Sequence, residues 1–150
     1  YDINEIVCHA TDYMSSRISR RIKLTLTQWH EPLIVTLSPP LTEWVMENLI
    51  KNAVDAMEGS GDINIEIRPE KAKALIEISD TGKGIARKNQ KAIFNPGFTT
   101  KSRGWGLGLT LTKRIIEEYH GGLIYVKKSE IGVGTTFAIE LPLAENSSLK

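Results

Sequence analysis

An α/β two-layer sandwich, with a mixed and mostly antiparallel sheet covered on one face by three helices, is the fold class that this 150-residue sequence predicts. Three observations point there. Three segments carry apolar residues at the three- and four-residue steps of an amphipathic helix, other shorter segments alternate apolar with polar residues as strands do, and the two kinds are interleaved along the chain. The chain is 41% hydrophobic, enough for one core and too short for two comfortable ones, so residues 1–150 read as a single domain.

Residues 3 to about 19 place Ile3, Ile6, Val7, Ala10, Met14 and Ile18 on one helical stripe. Alternation at Ile22, Leu24 and Leu26, and again from Leu33 to Leu37 beyond Glu31-Pro32, predicts two strands joined as a hairpin. Ser38-Pro39-Pro40 reads as a helix start, because a serine oxygen caps free amides and proline is tolerated where helix amides lack partners. This second helix runs to about Met57, where Glu58-Gly59-Ser60-Gly61-Asp62 breaks it. Ile63 to Arg68 and Ala74 to Ser79 then form an antiparallel pair around the turn Pro69 to Lys73. Residues 81 to 104 are rich in Gly, Lys, Asn, Thr and Pro and longer than an ordinary connection, as a functional lid is. A third helix spans about Gly106 to His120, with Leu107, Leu111, Ile115 and Tyr119 on one stripe and Gly121-Gly122 as its stop. Leu123 to Val126 and Thr135 to Leu141 are the last strands, and the polar tail from about residue 144 frays.

A formal net charge of +1 gives no electrostatic case for nucleic acid or a membrane surface as partner. The basic cluster Arg17, Arg20, Arg21 and Lys23 reads as a solvated face. No apolar run approaches the roughly 20 residues of a membrane-spanning helix, and the lone Cys8 has no internal disulfide partner, which suits a reducing compartment such as the cytoplasm. The chain opens on Tyr1 without a signal peptide, which reads as a piece of a longer polypeptide.

Three signals carry chemistry. On the second helix Asn48, Asn52 and Asp55 form a polar stripe beside the apolar one of Leu41, Val45, Leu49, Ala53 and Ala56. Asparagine is a mediocre helix former, so this stripe is either a polar wall facing a ligand or a pair of amides facing water. Asp80-Thr81-Gly82-Lys83-Gly84 sets an acid at a strand end before glycines that permit close backbone approach, either an acceptor for a buried amino group or an ordinary strand-ending turn. Gly104-Trp105-Gly106-Leu107-Gly108-Leu109 runs glycines into a helix start, whose free amides and partial positive charge suit phosphate. It matches neither a P-loop nor the GxGxxG fingerprint.

These signals, in this order, with Ile93-Phe94-Asn95-Pro96-Gly97-Phe98-Thr99-Thr100-Lys101 between the last two and Gly132-Val133-Gly134-Thr135-Thr136-Phe137 at the end, resemble the N, G1, F, G2 and G3 boxes of sensor histidine kinase catalytic domains. That family shares a superfamily, and the Bergerat-type ATP-binding fold, with gyrase, the Hsp90 chaperones and MutL. The resemblance covers about residues 40 to 142.

It implies ATP and Mg²⁺ as cofactors. Asp80 would accept a hydrogen bond from the adenine amino group, Thr135 would join the same polar network, and Gly82 and Gly84 would let the backbone pass close. Asn52 would be the Mg²⁺ ligand and Asn48 a phosphate or metal-shell contact. Thr100, Gly104, Gly106, Leu107, Gly108 and Leu109 would line the nucleotide from the lid and the third helix, with Lys101 at the γ-phosphate. Asp55 stands where many members carry a basic residue. Members that hydrolyse ATP resemble one another in a glutamate one turn before the metal-binding asparagine, whereas Asn48 holds that position here and an amide is no general base. The implied reaction is therefore phosphoryl transfer to an outside imidazole. His9, His30 and His120 lack the acceptor context, so the acceptor is expected on an upstream helical dimerisation domain of a homodimeric parent. A response regulator receiver domain would be the next partner, and the parent a cytoplasmic or membrane-anchored protein. An anti-sigma-type protein serine kinase and a non-catalytic ATP-binding switch are the alternatives.

Overall fold

The computed structural model describes residues 1–96 and 107–144. Five strands, β1 (Ile22–Thr27), β2 (Gly61–Glu70), β3 (Lys73–Asp80), β4 (Leu123–Glu130) and β5 (Gly134–Pro142), form one sheet in the order β1-β2-β3-β5-β4. Only β1 and β2 pair in parallel, and every other neighbour is antiparallel. The helices are α1 (Ile3–Ser15), α2 (Pro39–Ala56) and α3 (Leu107–Arg114).

The sheet has one apolar side. Along β2, Ile63, Ile65 and Ile67 are buried while Asp62, Asn64 and Glu66 between them are exposed, as a two-residue period against one layer of helices requires. Across the register Ile78 meets Phe137 and Ile76 meets Ile139, which continues that apolar side over β3 and β5. Val45, Met46, Leu49, Ile50 and Ala53 of α2 join the same core. Each fully buried side chain of this size contributes about 1.5–3 kcal/mol. Ser38 caps α2 as expected, its hydroxyl accepting from the Leu41 amide at 3.5 Å, with Pro39 and Pro40 in the first turn.

The expected hairpin between residues 22–26 and 33–37 does not form. β1 pairs instead with β2, and a parallel neighbour demands a crossover, which α2 supplies. The apolar run at 33–37 clips the two ends of the chain together. Val35 bridges to Leu143 and Ile34 to Asp2, and the Asp2 carboxylate accepts from the amides of Leu33 and Asn4 at 3.1 Å each. The first helix is shorter than its apolar stripe and ends at Ser15, with the Arg17 amide bonded to the Met14 carbonyl.

The predicted stripe on the third helix is also corrected. Leu111 and Tyr119 are exposed, and the buried residues are Thr112, Ile115 and Ile116. After Arg114 the helix widens into a π-helical turn, Ile115–Tyr119, which brings the consecutive Ile115 and Ile116 both inward. Gly121, at φ 66°, ends it. His120 locks this end to the start of α2: its Nε2 accepts from the Ser38 amide at 3.0 Å and its Nδ1 donates to the Ile115 carbonyl at 2.8 Å. Among the described residues no helix is long and apolar enough to cross a membrane.

Candidate functional site

The site begins where β3 ends. Register places Asp80 opposite Thr135, both pointing to the helix side, and Asp80 is only 9% exposed. Its Oδ1 accepts from the Gly82 amide at 2.8 Å and the Thr135 amide at 3.3 Å, while Oδ2 carries no hydrogen bond among the described residues. Burial pushes the carboxyl above the usual aspartate range, and the two amide donors pull it partly back. The chain then turns under the C-terminal end of α2. The Lys83 amide bonds to the Ala56 carbonyl at 2.9 Å, and a Cβ on Gly82 would stand 2.7 Å from that same oxygen. At Gly84, φ is +79° and a Cβ would meet the Glu130 carbonyl oxygen at 2.2 Å, so glycine alone fits.

Ser129 completes this corner, and the sequence pattern gave no reason to name it. An uninterrupted β4 register from Val126 opposite Phe137 would set Lys128 opposite Thr135; a bulge at Lys127 advances the strand and sets Ser129 there instead. The Ser129 hydroxyl accepts from the Ile85 amide at 2.7 Å and shares a 2.7 Å hydrogen bond with the Thr135 hydroxyl. A bulge cannot be read from alternation, which is why the serine was hidden.

The other half of the site is α2. Asn48 Nδ2 donates to the Thr112 hydroxyl at 3.0 Å, and that hydroxyl donates to the Gly108 carbonyl at 2.8 Å. Asn48 Oδ1 is thereby held against Gly108, 3.0 Å from where a Cβ would stand, beside the first turn of α3. Asn52, half-buried, lies one turn further on, and Ala56, under the glycine turn, one turn beyond that. One helix thus carries in line the contact to α3, the second asparagine and the seat of the Asp80 turn. A groove of about 630 Å³ between α1 and α2 is lined by Asn48, Lys51 and Asp55, so a lysine that the sequence pattern did not single out shares the Asn48 wall.

Leu107 opens α3, and Leu109 packs on the core. Phe94 is buried edge-on against Phe137, centroids 6.2 Å apart, and its carbonyl accepts from the Thr110 hydroxyl at 2.9 Å, which ties the segment after the glycine turn to α3. Thr100, Lys101, Gly104 and Gly106 lie outside the described residues. The donor set suits a hard cation held chiefly by phosphate oxygens. Asn52 offers one amide oxygen, and no group of three metal-ligating side chains occurs among the described residues.

A mixed five-stranded sheet with helices matches the catalytic domains of histidine kinases. The nucleotide-free catalytic domain of histidine kinase ThkA superposes with a TM-score of 0.84 at 29% identity, over 95% of this chain and 93% of that one. Histidine kinase ThkA in complex with response regulator protein TrrA gives 0.82 at 27% identity, over 96% of this chain and 41% of that one. Residues 36–145 match the family described as "Histidine kinase-, DNA gyrase B-, and HSP90-like ATPase", and the chain belongs to that family. Sensor histidine kinase ZraS of Salmonella typhimurium is 38% identical over 144 residues, 95% of this chain. The chain spans 30% of the length of that relative.

Proposed function

We propose that this chain binds ATP with Mg²⁺ and presents the γ-phosphoryl group to a histidine on an upstream helical dimerisation domain, within a homodimeric sensor kinase that passes the phosphoryl group on to a response regulator receiver. The observation that carries the reading is the division of labour at Asp80. Oδ1 is spent on two backbone amides and Oδ2 is left over, in a buried corner, as an acceptor for an exocyclic amino group. Ser129 orients the Thr135 hydroxyl beside it.

Further back along α2, one and two turns before Ala56, Asn52 and Asn48 offer amide oxygens and donors, neither of which takes a proton from water at neutral pH. Bound Mg²⁺ would supply charge neutralisation at the phosphate oxygens, with Asn52 as its one protein ligand. The chain's own contribution is positioning: adenine anchored at Asp80, the triphosphate run along α2, and its end directed out towards an imidazole from another domain. The response-regulator partner is supported by the ThkA–TrrA complex.

The test is transfer of labelled γ-phosphate from ATP, with Mg²⁺, to a separately supplied helical hairpin from the parent polypeptide. Acid-labile label, lost in Asn52→Ala, is the expected result. Acid-stable label would point to a serine acceptor, and tight nucleotide binding with no transfer to a switch module.

A further inference from the structure

Four cations line one groove to which the nucleotide site described above assigns no role. Arg87 and Lys88 of the 3₁₀ turn at 87–89, and Lys91 just before the turn at 92–94, line with Lys113 of α3 a cleft of about 570 Å³ floored by Phe94 and Ile124. None of the four has an ion pair among the described residues. Lys113 rests over the Phe94 ring, its Nζ 5.7 Å from the centroid. Glu117, four residues after Lys113, accepts from the Ile124 amide at 3.3 Å. All four side chains are exposed, so their positive charge is open to an anion that arrives from outside.

Position separates this groove from the nucleotide corner. It borders Ile124 to Val126 of β4, three to five residues before Ser129, and strand geometry puts that about 10–17 Å from the Asp80–Thr135 end. β4 is also the last strand of the sheet, so one side of its main chain pairs with no strand among the described residues.

We propose that this groove docks an extended acidic segment of a partner protein, with carboxylates against Arg87, Lys88, Lys91 and Lys113 and an apolar side chain on the Phe94–Ile124 floor. Charge complementarity fixes the sign of the partner, and the open edge of β4 suits an extended chain, which can pair with it. The concavity selects a segment over a membrane, because a flat anionic bilayer meets the rim cations without reaching the floor.

The probe is a fluorescein-labelled synthetic peptide of alternating glutamate and leucine, followed by anisotropy against the 150-residue chain. Saturable binding is expected, weakened about tenfold or more by Lys88→Glu/Lys91→Glu and shifted less than about twofold by Arg20→Glu/Arg21→Glu, which alters net charge equally. Lys113→Glu, on a separate element, gives an independent reading with a loss of about threefold or more. Equal weakening by both double variants overturns the proposal by reducing the effect to overall charge. Displacement of the peptide by ATP with Mg²⁺ overturns it by assigning the cations to the nucleotide. Binding of phosphatidylglycerol vesicles with the same Lys88 and Lys91 dependence, in place of the peptide, overturns it in favour of a membrane. None of these readouts depends on phosphoryl transfer, so the groove and the kinase reading fail separately.

Discussion

Asp80 and Thr135 face each other across β3 and β5, and the Thr135 amide donates to the Asp80 carboxylate at 3.3 Å. Burial lifts the carboxyl above its usual range even so. A raised pKa means that the folded chain binds a proton more readily than the unfolded one. Stability therefore falls as pH climbs from the ordinary carboxylate value to the folded one, and stays lowered above it.

Asp80→Asn removes that cost and keeps an Oδ1 acceptor for the Gly82 and Thr135 amides. The expected melting temperature at pH 7 is equal to or above that of the parent, with the gap closing as pH drops below the carboxylate range. Affinity for ATP, measured by titration calorimetry, should fall at least about tenfold, in line with ~1.5–3 kcal/mol for a hydrogen bond to a charged group. Undiminished affinity would remove Asp80 from the adenine site.

Ser129→Ala tests the bulge. The substitution takes away the acceptor of the Ile85 amide and the partner of the Thr135 hydroxyl together. A loss of about 1–2 kcal/mol in denaturant unfolding is expected from the stranded amide. ATP affinity should fall several-fold, and Ser129→Thr, which keeps a hydroxyl, should recover part of it.

The contrast between Asp80 and Ser129 shows what was legible. The place of Asp80 at a strand end was readable because its signal is local: an acid, then glycines, at the end of an alternating run. α2 was readable from Ser38 to Met57 because cap, prolines and apolar period agree. Residues 33–37 were not, since alternation marks an extended segment without saying what it pairs with, and here the partners are Asp2 and Leu143, at opposite ends of the chain. Leu111 and Tyr119 misled because a π turn shifts which residues face inward, and hydrophobic spacing assumes a constant 3.6-residue turn. What Lys51 and the basic groove face was invisible for a plainer reason, because it depends on α1 and β4.

Gly108→Ala separates stability from chemistry. In the first turn of α3 an alanine favours the helix by about 0.5–1 kcal/mol over glycine. Its Cβ, however, falls 3.0 Å from Asn48 Oδ1, so the asparagine must shift by a few tenths of an ångström and strain its bond to Thr112. The expected variant melts no lower than the parent and transfers phosphate more slowly. A variant with unchanged transfer would show that the position of Asn48 is not critical.

The open face of the sheet makes the last prediction, with the opposite sign at low pH to that of Asp80. The Tyr125 hydroxyl donates to Glu140 Oε2 at 2.6 Å, and Lys73 holds the other oxygen of that carboxylate at 2.9 Å. The bond to Glu140 and then partial burial push the Tyr125 phenol up to about 12. The same bond, joined by Lys73, holds Glu140 below the usual glutamate range. A lowered carboxylate stabilises the fold above its unfolded pKa and loses that effect as pH falls through the folded value. A raised phenol stabilises below its unfolded pKa and loses the effect as pH rises towards about 12. Without the hydroxyl the high-pH loss vanishes and the low-pH loss shrinks to the part that Lys73 carries. In Tyr125→Phe the tyrosinate absorbance titration should lack its highest-pH component. Because the pair is partly exposed, stability at neutral pH should drop by no more than about 1 kcal/mol. A high-pH component that persists in the variant would place the perturbed phenol elsewhere in the chain.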